Sequence, residues 1–198
     1  MRKLIVQQWV TVDGIVAEED GGLGFVPGEP FSEKTEPAFK ASVMGLVDSV
    51  DTMILGANTY AMAKDYWPYA EEQGEYGEKV NGLAKFVASS KLDDAPWGDF
   101  PAATVTRDPA ATIRELKERD GKNLWLWGSL KLMRSLLDAG LVDEFRLMVS
   151  PVALGKGTRL FDDRRDLKPV EAAAFENGVV ILRYVVENPA VEAPAVES

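Results

Sequence analysis

The sequence contains neither cysteine nor histidine, and each absence closes off chemistry. Without a thiol there is no thiolate nucleophile, no iron–sulfur or zinc–thiolate centre and no disulfide framework. Without an imidazole there is no Ser-His-Asp or Cys-His machinery and no histidine metal site, so no metal is expected. Proton handling falls to carboxylates, Tyr, Lys or water. Positive charge is also scarce: 22 Lys and Arg against 32 Asp and Glu leave a net charge of −10. That sign opposes nucleic acid and anionic membrane surfaces as partners. An anionic ligand would need backbone amides or a local Lys/Arg group to overrule the field. No apolar run approaches the roughly 18 residues of a membrane helix, and Met1-Arg2-Lys3 leads into a strand-like LIVQQWV rather than a signal peptide. The expectation is a cytoplasmic protein.

What is present fits one soluble domain: 198 residues, 46% of them apolar, at a length where a single core is the default. Leu4 to Val10 reads as a strand that stops at Thr11-Val12-Asp13-Gly14. Five glycines from Gly14 to Gly28 mark a mobile loop over one edge of the fold. From Pro37, the spacing of Phe39, Val43, Leu46, Val47 and Val50 is helical. Thr52 to Leu55 is a buried strand and Asn58 to Ala63 a short helix. DYWPYAEEQGEYGE then reads as an acidic, aromatic loop with its four Glu in solvent.

Lys85 to Ser89 and Ala103 to Thr106 are further strands, and Asp108-Pro109 is a capped helix start. Leu124 to Trp127 is apolar throughout, as a strand covered on both faces must be. The helix LKLMRSLLDAG follows. FRLMVSPV and a hairpin turning at Asn177-Gly178 complete the pattern. Alternating strands and helices predict an α/β fold: a mostly parallel central sheet with helices on both faces and a C-terminal antiparallel hairpin. The domain spans 1–186. The Pro/Ala/Val/Glu tail, 187–198, is expected to be disordered.

Ligands of open α/β sheets bind beyond the carboxyl ends of the strands. Two places there repeat one device, a strand, a glycine and a helix start: Leu55-Gly56-Ala57-Asn58-Thr59 and Trp127-Gly128-Ser129-Leu130-Lys131. Glycine admits a ligand to the backbone, and free amides at a helix start attract phosphate. Each glycine has a plainer reading as a simple chain turn. Neither device is a Gly-x-Gly-x-x-Gly fingerprint. Gly155-Lys156-Gly157-Thr158 lacks the glycine and the helix of a triphosphate loop and reads as a tight turn.

Leu55-Gly56-x-x-Thr59-Tyr60, Trp127-Gly128-Ser129, Gly140-Leu141-Val142-Asp143-Glu144, Ser150-Pro151-Val152, Leu154-Gly155-x-Gly157 and Leu160-Phe161 resemble the dihydrofolate reductase-like superfamily. The branch they resemble most is the reductase domain of the bifunctional riboflavin-biosynthesis deaminase-reductase and its stand-alone relatives. The likeness runs over residues 1 to about 186. It implies a reductase using NADPH, with NADH as a possible substitute, and a homodimer.

Carried over by position, the resemblance implies that Gly56, Asn58 and Thr59 hold the cofactor pyrophosphate. Ser89, Ser90 and Lys91 would receive the 2′-phosphate, with Lys91 the one cation of that loop. Gly128, Ser129, Leu130 and Lys131 would form the second phosphate turn, where the family often has a cis peptide after the glycine. Thr11, Ile15 and Val16 would lie beside the nicotinamide. The glycine loop from Ala17 to Pro30 would cover the site, with Phe25 and Trp67 as walls for a flat substrate.

Two acids are candidate proton handlers, Asp13 and Glu36, although each also suits a local role: Asp13 as a turn cap and Glu36 as an acid favoured at a helix start. Trp9, Trp67, Trp125 and Trp127 suit core packing as well as ring stacking. One departure stands out. Ala57 occupies the position where the family commonly has arginine. The resulting expectation is hydride transfer to a C=N or C=O carbon of a pterin- or aminopyrimidine-like heterocycle. The alternative is a non-catalytic nucleotide-binding or regulatory dimer on the same fold.

Overall fold

In the computed structural model, which describes residues 1–27 and 35–187, the chain opens with β1 (Leu4–Thr11), β2 (Ile15–Ala17), α1 (Pro37–Asp48), β3 (Val50–Gly56) and α2 (Ala57–Ala63). It continues with two short 3₁₀ turns, then α3 (Gly74–Gly82), β4 (Ala84–Ala88), β5 (Thr104–Thr106), α4 (Pro109–Glu118), β6 (Asn123–Leu126) and α5 (Leu130–Asp138). It ends with β7 (Glu144–Ser150), β8 (Thr158–Arg159), β9 (Leu167–Ala174) and β10 (Val180–Val186). Residues 28–30 of the expected loop, and the expected tail from 188 onward, lie outside the described residues.

Eight strands form one sheet in the order β5-β4-β3-β6-β1-β7-β10-β9. The run from β5 to β7 is parallel, and β10 pairs antiparallel with both β7 and β9. This is the dihydrofolate reductase-like architecture expected from the sequence. The period of two in each strand sends side chains alternately to two cores. Ile5, Met53, Leu55, Trp125 and Met148 meet the apolar stripes of α1, α2 and α3 on one face. Leu4, Val6, Ile54, Leu126 and Phe145 meet α4 and α5 on the other. Asp108 caps α4 by accepting from the Ala111 amide at 2.9 Å, with Pro109 at the first helical position.

Two local readings are corrected. The stretch read as a continuous loop, 65–78, contains two 3₁₀ turns and the start of α3. Its helix is set by Tyr76 and Val80, four residues apart and both buried, while Glu71, Glu72, Glu75 and Glu78 are exposed as expected. Residues 15–17 and 158–159, not recognised as strands, pair as a two-stranded ribbon. Its approach follows the Gly155–Gly157 turn, where both glycines have positive φ.

Candidate active site

The two strand–glycine–helix devices meet in space. Ile54 of β3 and Leu126 of β6 are register partners, so the two strands end side by side. The Gly56 amide donates to the Gly128 carbonyl at 3.3 Å. A Cβ on Gly56 would collide with the Ser129 side chain, and one on Gly128, whose φ is +73°, would sit 3.0 Å from Thr59 Oγ1. Glycine at both positions is therefore what lets the turns interlock. The Gly128–Ser129 peptide is cis. Neither α2 nor α5 receives a side-chain cap at its start. Around this double turn, Asn58 and Lys131 are exposed and Thr59, Ser129 and Leu130 are half-buried.

The end of β4 lies beside β3, with Gly56 paired to Ala88. There the Ser89 hydroxyl accepts from the amides of Lys91 and Leu92, both at 3.1 Å, a compact turn that leaves Ser90 and the Lys91 side chain exposed. The structure adds a cation that sequence reasoning missed. Ala88 pairs with Thr106, so Arg107, the residue after β5, places Nη1 2.5 Å from the Ser89 carbonyl and Nη2 3.3 Å from Asp93. Lys91 is thus not the one positive group at this corner. The separation of 18 positions between Ser89 and Arg107 hid the pairing, because strand register brings them together.

At the end of β1, the Thr11 hydroxyl accepts from the Ile15 amide at 2.9 Å and donates to the Asp13 carboxylate. Asp13 also accepts from the amides of Gly155, at 2.6 Å, and Leu154, at 3.3 Å. The Thr11 hydroxyl and the Gly155 amide hold its carboxyl below the usual carboxylate range. It is an ionised clamp between the β1 turn and the 154–155 turn. Glu36 precedes α1, and its carboxylate accepts from the Glu176 amide at 2.7 Å and from that of Asn177 at 3.4 Å. It ties the helix start to the β9–β10 turn. Both candidate acids therefore hold backbone.

Thr11, Ile15, Val16 and Phe25 are buried. Trp67 is buried among aromatic rings, its centroid 4.8 Å from Trp127, 5.3 Å from Tyr66 and 5.7 Å from Tyr76. Trp127 in turn stacks on Trp125 at 5.1 Å. Trp127, one residue before the Gly128 turn, packs against Trp67. A recess of about 350 Å³ lined by Glu18, Glu19, Asp20, Leu154 and Lys156 lies off this corner, and its acidic wall disfavours phosphate.

This arrangement can be compared with solved folds. A putative riboflavin biosynthesis protein from Shewanella sp. PV-4 superposes with a TM-score of 0.70 at 20% identity, over 94% of this chain and 99% of that one. A pyrimidine reductase-like protein from Corynebacterium diphtheriae superposes with a TM-score of 0.61 at 15% identity, over 95% and 93%. The diaminohydroxyphosphoribosylaminopyrimidine deaminase/5-amino-6-(5-phosphoribosylamino)uracil reductase of Thermotoga maritima matches with a TM-score of 0.61 over 93% of this chain, which spans 56% of that protein. The class is a riboflavin-pathway reductase-like fold. The chain belongs to the RibD C-terminal domain family, whose model matches residues 2–181. Among curated relatives, the uncharacterized Bacillus subtilis protein YyaP is 29% identical over 92% of this chain and 94% of its own length.

Proposed function

We propose that this chain is an NADPH-dependent reductase that delivers hydride to a C=N or C=O carbon of a pterin- or aminopyrimidine-like ring. The observation that carries the reading is the interlocked Gly56–Gly128 double turn, flanked by Lys131, Lys91 and Arg107. In a chain with a net charge of −10, three exposed cations gather at adjoining strand ends, where backbone amides are also open. That is the donor set a dinucleotide phosphate requires. The fit rests on the interlock: glycine at 56 and 128 leaves room for the Ser129 and Thr59 side chains and so brings two helix starts without side-chain caps together.

The cofactor, when bound, supplies the hydride. Gly56, Asn58, Thr59, Gly128, Ser129, Leu130 and Lys131 would hold its pyrophosphate. Ser89, Ser90, Lys91 and Arg107 would hold the 2′-phosphate. Thr11, Ile15 and Val16 would place the nicotinamide. The carbon that takes the hydride leaves an electron pair on its ring nitrogen or oxygen, and that atom must gain a proton. Asp13 is held ionised by three donors and Glu36 is committed to two amides, so water is the proton source.

The engagement of both acids favours one second reading, a nucleotide-binding dimer without turnover. Titrating the protein's tryptophan fluorescence with NADPH, then following NADPH oxidation over a pterin and aminopyrimidine panel, separates them. Micromolar binding with turnover on any ring supports the reductase. Binding with no turnover supports the second reading, and absence of binding defeats both.

A further inference from the structure

An asparagine followed by glycine can cyclise onto the next backbone nitrogen, because glycine carries no Cβ to block the approach. The chain holds two such pairs, Asn81-Gly82 and Asn177-Gly178, and the fold treats them in opposite ways. Asn81 is 5% exposed and its backbone is helical, within α3. Its Nδ2 donates to the Trp67 carbonyl at 2.8 Å and its Oδ1 accepts from Trp97 Nε1 at 2.7 Å. Both ends of that amide are held by other segments, which keeps its Cγ from turning back toward Gly82.

Asn177 stands in the exposed turn between β9 and β10. The turn is closed by the Gly178 amide, which donates to the Phe175 carbonyl at 3.0 Å, with Gly178 at a φ of +82°. Within it the Asn177 Oδ1 accepts from the amide of Val179, two residues on, at 3.0 Å. That bond folds the side chain over its own downstream backbone. Cγ is thereby carried toward the Gly178 nitrogen, a member of the ring that this bond closes. The Val179 N–H also polarises the Cγ–Oδ1 bond: it points at the oxygen on which charge develops when Cγ is attacked, at the distance at which such donors act. One amide is braced against reaction and the other is arranged for it.

We infer that Asn177 is a site of self-modification. The Gly178 nitrogen, released from the Phe175 carbonyl and relieved of its proton by solvent base, forms a bond to Asn177 Cγ. The Cγ–Nδ2 bond breaks, and Nδ2 takes up a proton and leaves as ammonia. Water then opens the cyclic imide at either carbonyl, giving aspartate or isoaspartate. Both products put a new carboxylate on a turn whose Glu176 and Asn177 amides are held by the Glu36 carboxylate, at 2.7 and 3.4 Å, so like charges meet there. Isoaspartate also adds a main-chain carbon between Phe175 and Val179, which are paired at 3.0 Å across the turn. Phe175 in turn packs edge-on against Phe39 of α1 at 5.2 Å. Conversion therefore loosens the corner where the hairpin holds the start of α1. The inference does not depend on the reductase reading.

The test incubates the folded parent in mildly alkaline buffer at physiological temperature and follows its tryptic peptides by mass spectrometry. The peptide containing Asn177 should gain about one dalton and split into two isomers, isoaspartate and aspartate. In the folded protein it should convert at least tenfold faster than the peptide containing Asn81. In guanidinium chloride, where only the shared Asn-Gly dipeptide counts, the two should convert within threefold of each other. Asn177→Gln should abolish the gain at its own peptide and leave the Asn81 peptide unchanged. The converted fraction, separated by its extra negative charge, should melt below fresh protein. Equal rates at the two sites in the folded protein overturn the inference. So does a tenfold preference that persists in guanidinium chloride, because the flanking sequence would then set it. A product that is aspartate alone also overturns it, since that marks direct hydrolysis rather than the imide. A converted fraction that melts with the fresh protein overturns the loosening of the Glu36 corner.

Discussion

Under the proposed reading, Arg107 joins Lys91 at the 2′-phosphate corner, where the linear sequence offered Lys91 as the one cation beside Ser89 and Ser90. The Lys91 side chain is exposed beside Ser90, and Arg107 is fixed on the Ser89 carbonyl. A phosphate in this corner would meet two cations, each worth about 1 kcal/mol at a solvent-exposed position. Lys91→Ala or Arg107→Ala should each weaken NADPH roughly five- to tenfold while changing NADH little. The double variant should bring the two cofactors within about threefold of each other. Titration of both dinucleotides decides it, and equal losses for NADH and NADPH would move these cations to the pyrophosphate. Asp13 also holds backbone at this scale, accepting from the Gly155 and Leu154 amides. Its folded pKa is depressed by the Thr11 hydroxyl and the Gly155 amide. Its stabilisation is therefore complete above the unfolded value of about 3.9 and is lost as pH falls through the lower folded value. Urea midpoints measured from pH 6 down to pH 3 should fall more steeply for the parent than for Asp13→Asn.

Elements showed through the sequence wherever a long period or a punctuating glycine announced them. Phe39, Val43, Leu46 and Val47 gave α1 its stripe, and the two glycine turns were found because each ends an apolar run. α3 was hidden by its composition: glycine at 74, 77 and 82, with only Tyr76 and Val80 as an apolar pair. What makes it a helix is tertiary. Trp67 packs on Tyr76, and Asn81 joins the neighbouring segments by donating to the Trp67 carbonyl at 2.8 Å and accepting from Trp97 Nε1 at 2.7 Å. β2 and β8, three and two residues long, are too short to show any period.

Lys85 belongs to the same element-scale network. Its Nζ donates to the carbonyls of Asn81 and Leu83 at 2.6 and 2.8 Å and lies 5.0 Å from the Trp97 ring centroid. Burial pushes its pKa down to about 8, so the folded state binds this proton more weakly than the unfolded chain. Raising the pH from 8 to about 10 should therefore relieve about 2 kcal/mol of the roughly 3 kcal/mol cost that the parent carries at pH 7. Lys85→Met never carries that charge. The stability difference between parent and variant should shift in the parent's favour over this range. A difference that is flat with pH would mean that the Lys85 charge is not destabilised by the fold.

At the scale of the whole molecule, the partner expectation turns on which apolar surface the chain leaves uncovered. The apolar Phe145–Val149 run is largely satisfied within one chain: Phe145, Leu147 and Met148 are buried, and Phe145 packs edge-on against Phe161 at 5.3 Å. The uncovered surface lies one and two strands further out. Leu182, Tyr184 and Val186 of β10 and Leu167 of β9 are only partly buried at the margin of the second core, and Val170 is 52% exposed. β9 is also the edge of the eight-stranded sheet, and free edges and contiguous apolar faces both favour a second chain. A second copy of this chain, related by a two-fold axis, is the occupant proposed here, because an isologous contact covers both edges with one interface. Sedimentation at micromolar concentration should then give about twice 21.7 kDa. Leu182→Arg, which places a charge at the centre of the patch and far from the Gly56–Gly128 turns, should give the monomer mass and leave NADPH affinity within about twofold. A parent that sediments as a monomer sinks the proposal. So does a Leu182→Arg protein that remains folded and dimeric, because the pairing would then use another face.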